Sequence, residues 1–263
     1  SVRIQGGKAD NLERAIACYQ ASLQVLTHKS FPYDWAIIQM NLGRAYSDRI
    51  RGEKRVNLEE AITYCQAALQ VLTRESFPHD WAKTQLNLGL AHFRRIKGKR
   101  ASNLEEVITY CQAALQVLTR ELFPYDWAMT QANLGVTYTE RIWGDQAYNI
   151  DKAIVHFQSS LEVWTCKAFP HMWAMTQMNL GVTYIHKSLR KRTANWQQSI
   201  DCYQLALQGC NHEAFPQDWA MTQNNLAAAY YDRIREDKAE NIEKAIACYD
   251  LALLVRTRAD FPQ

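Results

Sequence analysis

Phe31-Pro32-Tyr33-Asp34-Trp35-Ala36 returns as Phe77-Pro78-His79-Asp80-Trp81-Ala82 and again as Phe123-Pro124-Tyr125-Asp126-Trp127-Ala128. Phe169-Pro170-His171-Met172-Trp173-Ala174 and Phe215-Pro216-Gln217-Asp218-Trp219-Ala220 continue the series, and Phe261-Pro262 begins it once more. Every step is 46 residues, without an insertion. Asn11, Asn57, Asn103, Asn149, Asn195 and Asn241 keep the same beat. Self-similarity at such a period marks a stacked repeat, in which each unit buries its apolar face only against its neighbours. The period overrides the one- or two-domain expectation for 263 residues. Residues 1–263 therefore read as one array of units starting near those asparagines. The array offers a long surface rather than a closed catalytic cleft, which favours binding.

Each unit holds two helical segments. The first runs from Asp34 to about Ile50. Pro32 suits a helix start, Asp34 adds negative charge to the first turn, and Gly52 or its neighbours end the segment. Trp35, Leu42 and Tyr46 fall on one stripe at helical spacing. The second segment is expected to start at Asn57 as N-cap, with Glu60 completing an approximate capping box. Leu58, Ala61, Ile62, Cys65, Ala68, Leu69 and Leu72 form its apolar stripe, which stops before Phe77-Pro78. Gly43, Gly89, Gly135, Gly181 and Ala227 share one register. A mid-helix glycine costs about 1 kcal/mol against alanine, so close helix contact is expected there. Gln39, Gln85, Gln131, Gln177 and Gln223 lie on the stripe of Trp35 and Leu42. They are expected to be at least partly buried and paired between helices or repeats.

These residues resemble tetratricopeptide repeats. Leu42-Gly43-x-x-Tyr46 is similar to that family's Leu-Gly-x-x-Tyr, and Ala61, Cys65 and Ala68 fall at the spacing of its Ala…Phe…Ala triple. Phe157 restores the aromatic in the unit from Asn149. The resemblance implies an all-α solenoid of stacked antiparallel helix pairs, about 11 helices, wound as a right-handed superhelix. Two features depart from the family: the unit has 46 residues rather than 34, and Trp35 sits one turn before the family's Trp position, which Gln39 fills. The long unit is similar to arrays of kinesin light chains and of bacterial proteins whose repeats precede a caspase-like CHAT protease domain.

The family lines its concave side with first helices. Carried over by position, the stripe opposite Trp35 holds Ile37, Met40, Asn41, Arg44 and Asp48. Its equivalents are Lys83, Leu86, Asn87, Leu90 and Arg94; Met129, Ala132, Asn133, Val136 and Glu140; Met175, Met178, Asn179, Val182 and His186; and Met221, Asn224, Asn225, Ala228 and Asp232. Asn41, Asn87, Asn133, Asn179 and Asn225 recur in every unit. In peptide-binding members this position contacts ligand backbone, and a side-chain amide offers both a donor and an acceptor to a peptide group. The Met and aliphatic residues beside it adapt to varied apolar side chains. A bond within the array is the alternative use of the ladder.

Other chemistry is sparse. Net charge is +3 and the isoelectric point about 8.4, which neither requires nor excludes nucleic acid. Basic residues gather between the two helices (Arg49, Arg51, Lys54, Arg55; Arg94, Arg95, Lys97, Lys99, Arg100; Lys187, Arg190, Lys191, Arg192). Glu53, Glu140, Asp145, Glu236 and Asp237 interrupt them. Nucleic-acid binding along this edge is thus the weaker alternative. Seven cysteines without a C-x-x-C or zinc spacing read as small buried hydrophobes in a reducing, cytoplasmic setting. No metal, cofactor or nucleophile motif is present, so no enzyme is expected. No run reaches the roughly 18 apolar residues of a membrane span, and no membrane partner is expected. The expected function is a scaffold binding a protein or peptide in the groove. A regulatory arm of a larger effector enzyme, with a catalytic domain in the same parent chain, is a second reading. Both ends fall in mid-unit, which points to a piece of a longer protein and leaves end-to-end self-association open.

Overall fold

The computed structural model describes residues 7–191, 195–233 and 238–255, without the side chains of 188–191 and 195. Arg192, Glu236, Asp237 and Phe261 fall outside the described residues, and of Arg190 and Lys191 only the backbone is described. Among the described residues there are eleven helices and no strand. The second-type helices are α1 (Lys8–Ser22), α3 (Lys54–Ala68), α5 (Arg100–Leu115), α7 (Gln146–Leu161), α9 (Asn195–Gly209) and α11 (Lys238–Val255). The first-type helices are α2 (Pro32–Asp48), α4 (Pro78–Arg94), α6 (Pro124–Glu140), α8 (Pro170–Lys191) and α10 (Pro216–Asp232). Neighbouring helices pack in pairs, the arrangement of an all-α solenoid. The chain forms two compact units, Ser1–Thr130 and Gln131–Gln263, divided within α6.

The first-type helices start where the repeat predicts. A backbone N–H bonds a hydroxyl or amide three residues earlier at the same point of each linker: Ser30 to Thr27, Ser76 to Thr73, Leu122 to Thr119, Ala168 to Thr165 and Ala214 to Asn211. This side-chain turn aims the chain, and the proline that follows fits the first helical position. The second-type helices α1, α3, α5 and α7 start earlier than expected. α3 begins at Lys54 with Glu53 as N-cap, and Asn57 is buried inside it. Asn57 caps no helix. Its Nδ2 donates to the Arg51 carbonyl at 2.8 Å, Asn103 Nδ2 to the Lys97 carbonyl at 3.1 Å, and Asn149 Nδ2 to the Trp143 carbonyl at 2.9 Å. The clamp holds a turn whose glycines, Gly52, Gly98 and Gly144, have φ of 81°, 84° and 83°. That left-handed conformation favours glycine. α2 has already ended at Asp48, so Gly52 shapes the turn rather than stopping the helix.

In unit 1 the core joins Ile16, Ile38, Leu42, Tyr46, Ile62, Cys65 and Leu88, with Met40 and Leu72 in a second cluster. In unit 2 it joins Met178, Ile200, Tyr203, Leu226 and Tyr230. The glycine register lies where first- and second-type helices press together: Gly135 faces the Phe157 ring and Gly181 the Tyr203 ring. The tryptophans Trp35, Trp81, Trp127, Trp173 and Trp219 are half-buried.

Consecutive repeats are joined by recurring polar links. Tyr33 donates to Asp80, and His79 and His171 bond Asp126 and Asp218 in the same way. Each of the three rings also packs on the next Phe-Pro phenyl: Tyr33 on Phe77, His79 on Phe123 and His171 on Phe215. Further along, Arg49 makes a two-pronged bond to Glu13 and Arg95 to Glu59. Arg95 holds the Glu59 carboxyl below its usual range.

The glutamine ladder is buried throughout. Gln131 Oε1 accepts from His156 Nδ1 at 2.7 Å, while Oε1 of Gln39 and of Gln223 has no partner among the described residues. His156 and His92 both sit in this interior. Burial, assisted by Lys152, pushes the His156 imidazole down to about 4. Burial, with Arg95 nearby, lowers His92 as well. The unfolded chain takes up these protons near pH 6.5, before the folded chain does. Stability is therefore full above about 6.5 and falls as the pH drops toward about 4. Tyrosine fills the His92 register at Tyr46 and Tyr138 and the His156 register at Tyr64 and Tyr110. The double variant His92→Tyr, His156→Tyr is expected to flatten the loss between pH 6.5 and 4, read by urea midpoints at successive pH values. An unchanged slope would place the acid sensitivity elsewhere.

Candidate partner-binding face

The first-type helices each present a stripe at i, i+4, i+7 and i+11. In unit 1 it comprises Ile37, Asn41, Arg44 and Asp48 on α2, then Lys83, Asn87, Leu90 and Arg94 on α4, with Met129 at the start of α6. In unit 2 it comprises Asn133, Val136 and Glu140 on α6, Met175, Asn179, Val182 and His186 on α8, and Met221, Asn225, Ala228 and Asp232 on α10. Asn41, Asn87, Asn133, Asn179 and Asn225 are all half-buried. None of their side-chain amides makes a hydrogen bond among the described residues. They share the stripe with half-buried Ile37, Lys83, Met129, Met175 and Met221.

Three expected contact residues stand differently. Met178 is only 5% exposed and belongs to the unit 2 core, as Met40 does to that of unit 1. Both lie one residue before the asparagine, on the inner edge of the stripe, where the helix turns toward its neighbours. Arg44 and Arg94 are exposed but not unattached. Arg44 Nε donates to Asp48 Oδ2 at 2.9 Å, and Arg94 Nη1 to Asp48 Oδ1 at 2.6 Å and to the Ser47 carbonyl. Burial pushes the Asp48 carboxyl up, but the bonds from Arg94 and Arg44 outweigh it and hold it below the usual carboxylate range. This knot between α2 and α4 had a readable signal, since Arg94 lies one period after Asp48.

All seven cysteines are free thiols. Burial pushes Cys65, Cys111 and Cys202 up to about 12, which keeps them protonated and inert. Among the described residues no cluster of His, Cys, Asp or Glu could hold a metal ion.

Residues 219–250 match the family described as tetratricopeptide repeat. They cover most of α10 and α11, and the same helix pair recurs through the preceding units at the 46-residue period. The chain is a tetratricopeptide-type repeat protein. No curated protein matches it. Tetratricopeptide repeats generally mediate protein–protein interaction, and an all-α fold of this kind is typically non-catalytic. No described helix of this repeat protein is long and apolar enough to cross a membrane.

Proposed function

We propose that this protein is an interaction scaffold whose first-helix stripe binds a peptide segment or helix of a protein partner. One observation carries the reading: five asparagines at one register are half-exposed and their amides are bonded to nothing among the described residues. A structural amide in such a place would be expected to have found a partner. A ladder of donors and acceptors suits a ligand's peptide groups, and the Met, Val and Ile beside it suit apolar side chains. In unit 2 the stripe beside its asparagines is apolar at Val136, Met175, Val182, Met221 and Ala228, and its far end is polar at Glu140, His186 and Asp232. In unit 1 Lys83 adds a cation, which favours a partner with acidic residues there.

The triple variant Asn87→Ala, Asn133→Ala, Asn179→Ala tests this. A random-peptide display selection on the unmodified protein supplies the ligands. The variant is expected to bind them at least about tenfold more weakly, the loss of one to two hydrogen bonds, with an unchanged melting curve. A collapse in melting would make the ladder structural instead.

A further inference from the structure

We propose that the turns between the two helices of each repeat in unit 1 form a peripheral docking edge for an anionic lipid surface. Ile50 and Ile96 hold the same place in successive turns and are 58% and 61% exposed. Single exposed aliphatic residues are ordinary. These recur at one register, and in each case the turn is locked by its left-handed glycine and its asparagine clamp. The isoleucine is thus held outward by an ordered turn that does not need it for packing. Val56, just inside α3, is exposed as well.

Around these tips stand Lys54, Arg55, Lys97 and Lys99, all exposed. Their side chains make no hydrogen bond or ion pair among the described residues. Arg49, Arg51 and Arg95 differ, being tied to Glu13, Asp10 and Glu59. Glu53 is the one acidic residue of the two turns. Isolated aliphatic tips ringed by cations match a bilayer interface, with alkyl groups below the phosphates and ammonium groups among them. A protein partner would have to offer a separate pocket to each isoleucine, and a nucleic acid offers none. In unit 2 the same turn carries Ile142 and Trp143, 53% and 49% exposed, and Tyr148 is exposed beside them. Trp and Tyr are the side chains that settle at membrane–water boundaries.

The edge lies apart from the asparagine stripe, so it stands or falls independently of peptide binding. The test is co-sedimentation of the protein with vesicles of phosphatidylcholine alone or mixed with phosphatidylserine, at low and at high salt. Binding is expected only with phosphatidylserine and is expected to weaken as salt rises. Ile50→Ser with Ile96→Ser, and separately Lys97→Gln with Lys99→Gln, are each expected to lower partitioning about tenfold. These positions are exposed, so circular dichroism and melting are expected to stay unchanged. No sedimentation with phosphatidylserine vesicles overturns the proposal, as does binding indifferent to the isoleucine pair. An RNA oligonucleotide bound through the lysines and untouched by the isoleucine change would make this a nucleic-acid edge instead.

Discussion

Gly181→Ala is expected to lower the melting temperature of this protein, and Gly89→Ala to raise it. Both replace a mid-helix glycine at the same register, and both gain about 1 kcal/mol of helix propensity. What differs is the opposing helix. A β-carbon on Gly181 would stand 2.7 Å from Cε1 of Tyr203, and one on Gly135 would stand 2.7 Å from the Phe157 ring. Both rings are fully buried and cannot retreat. Overpacking of this kind costs about 1–3 kcal/mol, with strain carried into the neighbouring repeat. On Gly89 the nearest atoms are Cys111 Sγ and Tyr110 Cβ at 3.8 Å, an ordinary contact. Gly43 also faces a cysteine, Cys65, yet a β-carbon there would collide with its Sγ. The room at this register is thus set unit by unit, by how closely the two helices approach as well as by the opposing side chain. Combining Gly181→Ala with Tyr203→Cys, the pairing that Gly89 and Cys111 use, is expected to recover part of the loss. Equal melting shifts for the two single variants would remove close approach as the reason for the glycines.

Asn149→Asp is expected to destabilise the fold more than Asn149→Ala does, measured by denaturant midpoints at neutral pH. The alanine change removes the bond to the Trp143 carbonyl and leaves that acceptor wanting, a loss of about 1–3 kcal/mol. The aspartate keeps the size but has only acceptors to offer. It sets a fully buried carboxylate against a carbonyl oxygen. Arg141 Nη1, which donates to Asn149 Oδ1 at 3.3 Å, offsets only part of the charge's desolvation, leaving a further cost of about 1 kcal/mol. The contrast separates two roles for one residue type. At an N-cap, Asp serves as well as Asn; at a loop clamp it does not. A neutral Asp substitution would restore the capping role.

That ambiguity shows where the sequence ceased to be informative. An asparagine ahead of an apolar helical run carries the same local pattern whether it caps the helix or reaches back to the loop. Only the three residues of helix before Asn57, from Lys54 onward, decide between them. The helix pairs themselves were legible because the 46-residue period and the Phe-Pro starts are repeated evidence for one event. The candidate face was legible in part. Its asparagines follow from register alone, but Met178 lies one residue away, and a shift of 100° around a helix takes a side chain from solvent to core. The double bond of Asp48 to Arg44 and Arg94 depends on how neighbouring first helices stand. Spacing hints at that, but propensity does not encode it.

The ring-and-carboxylate links between repeats have an evolutionary consequence. Tyr33 with Asp80, His79 with Asp126 and His171 with Asp218 all span the same distance along the chain. Excising or copying a 46-residue block would therefore present each remaining ring with a phenyl of the same kind and, except where Met172 takes the carboxylate's place, with an Asp. A lineage carrying such a gene can trim or extend its product by unequal recombination without having to invent a new junction.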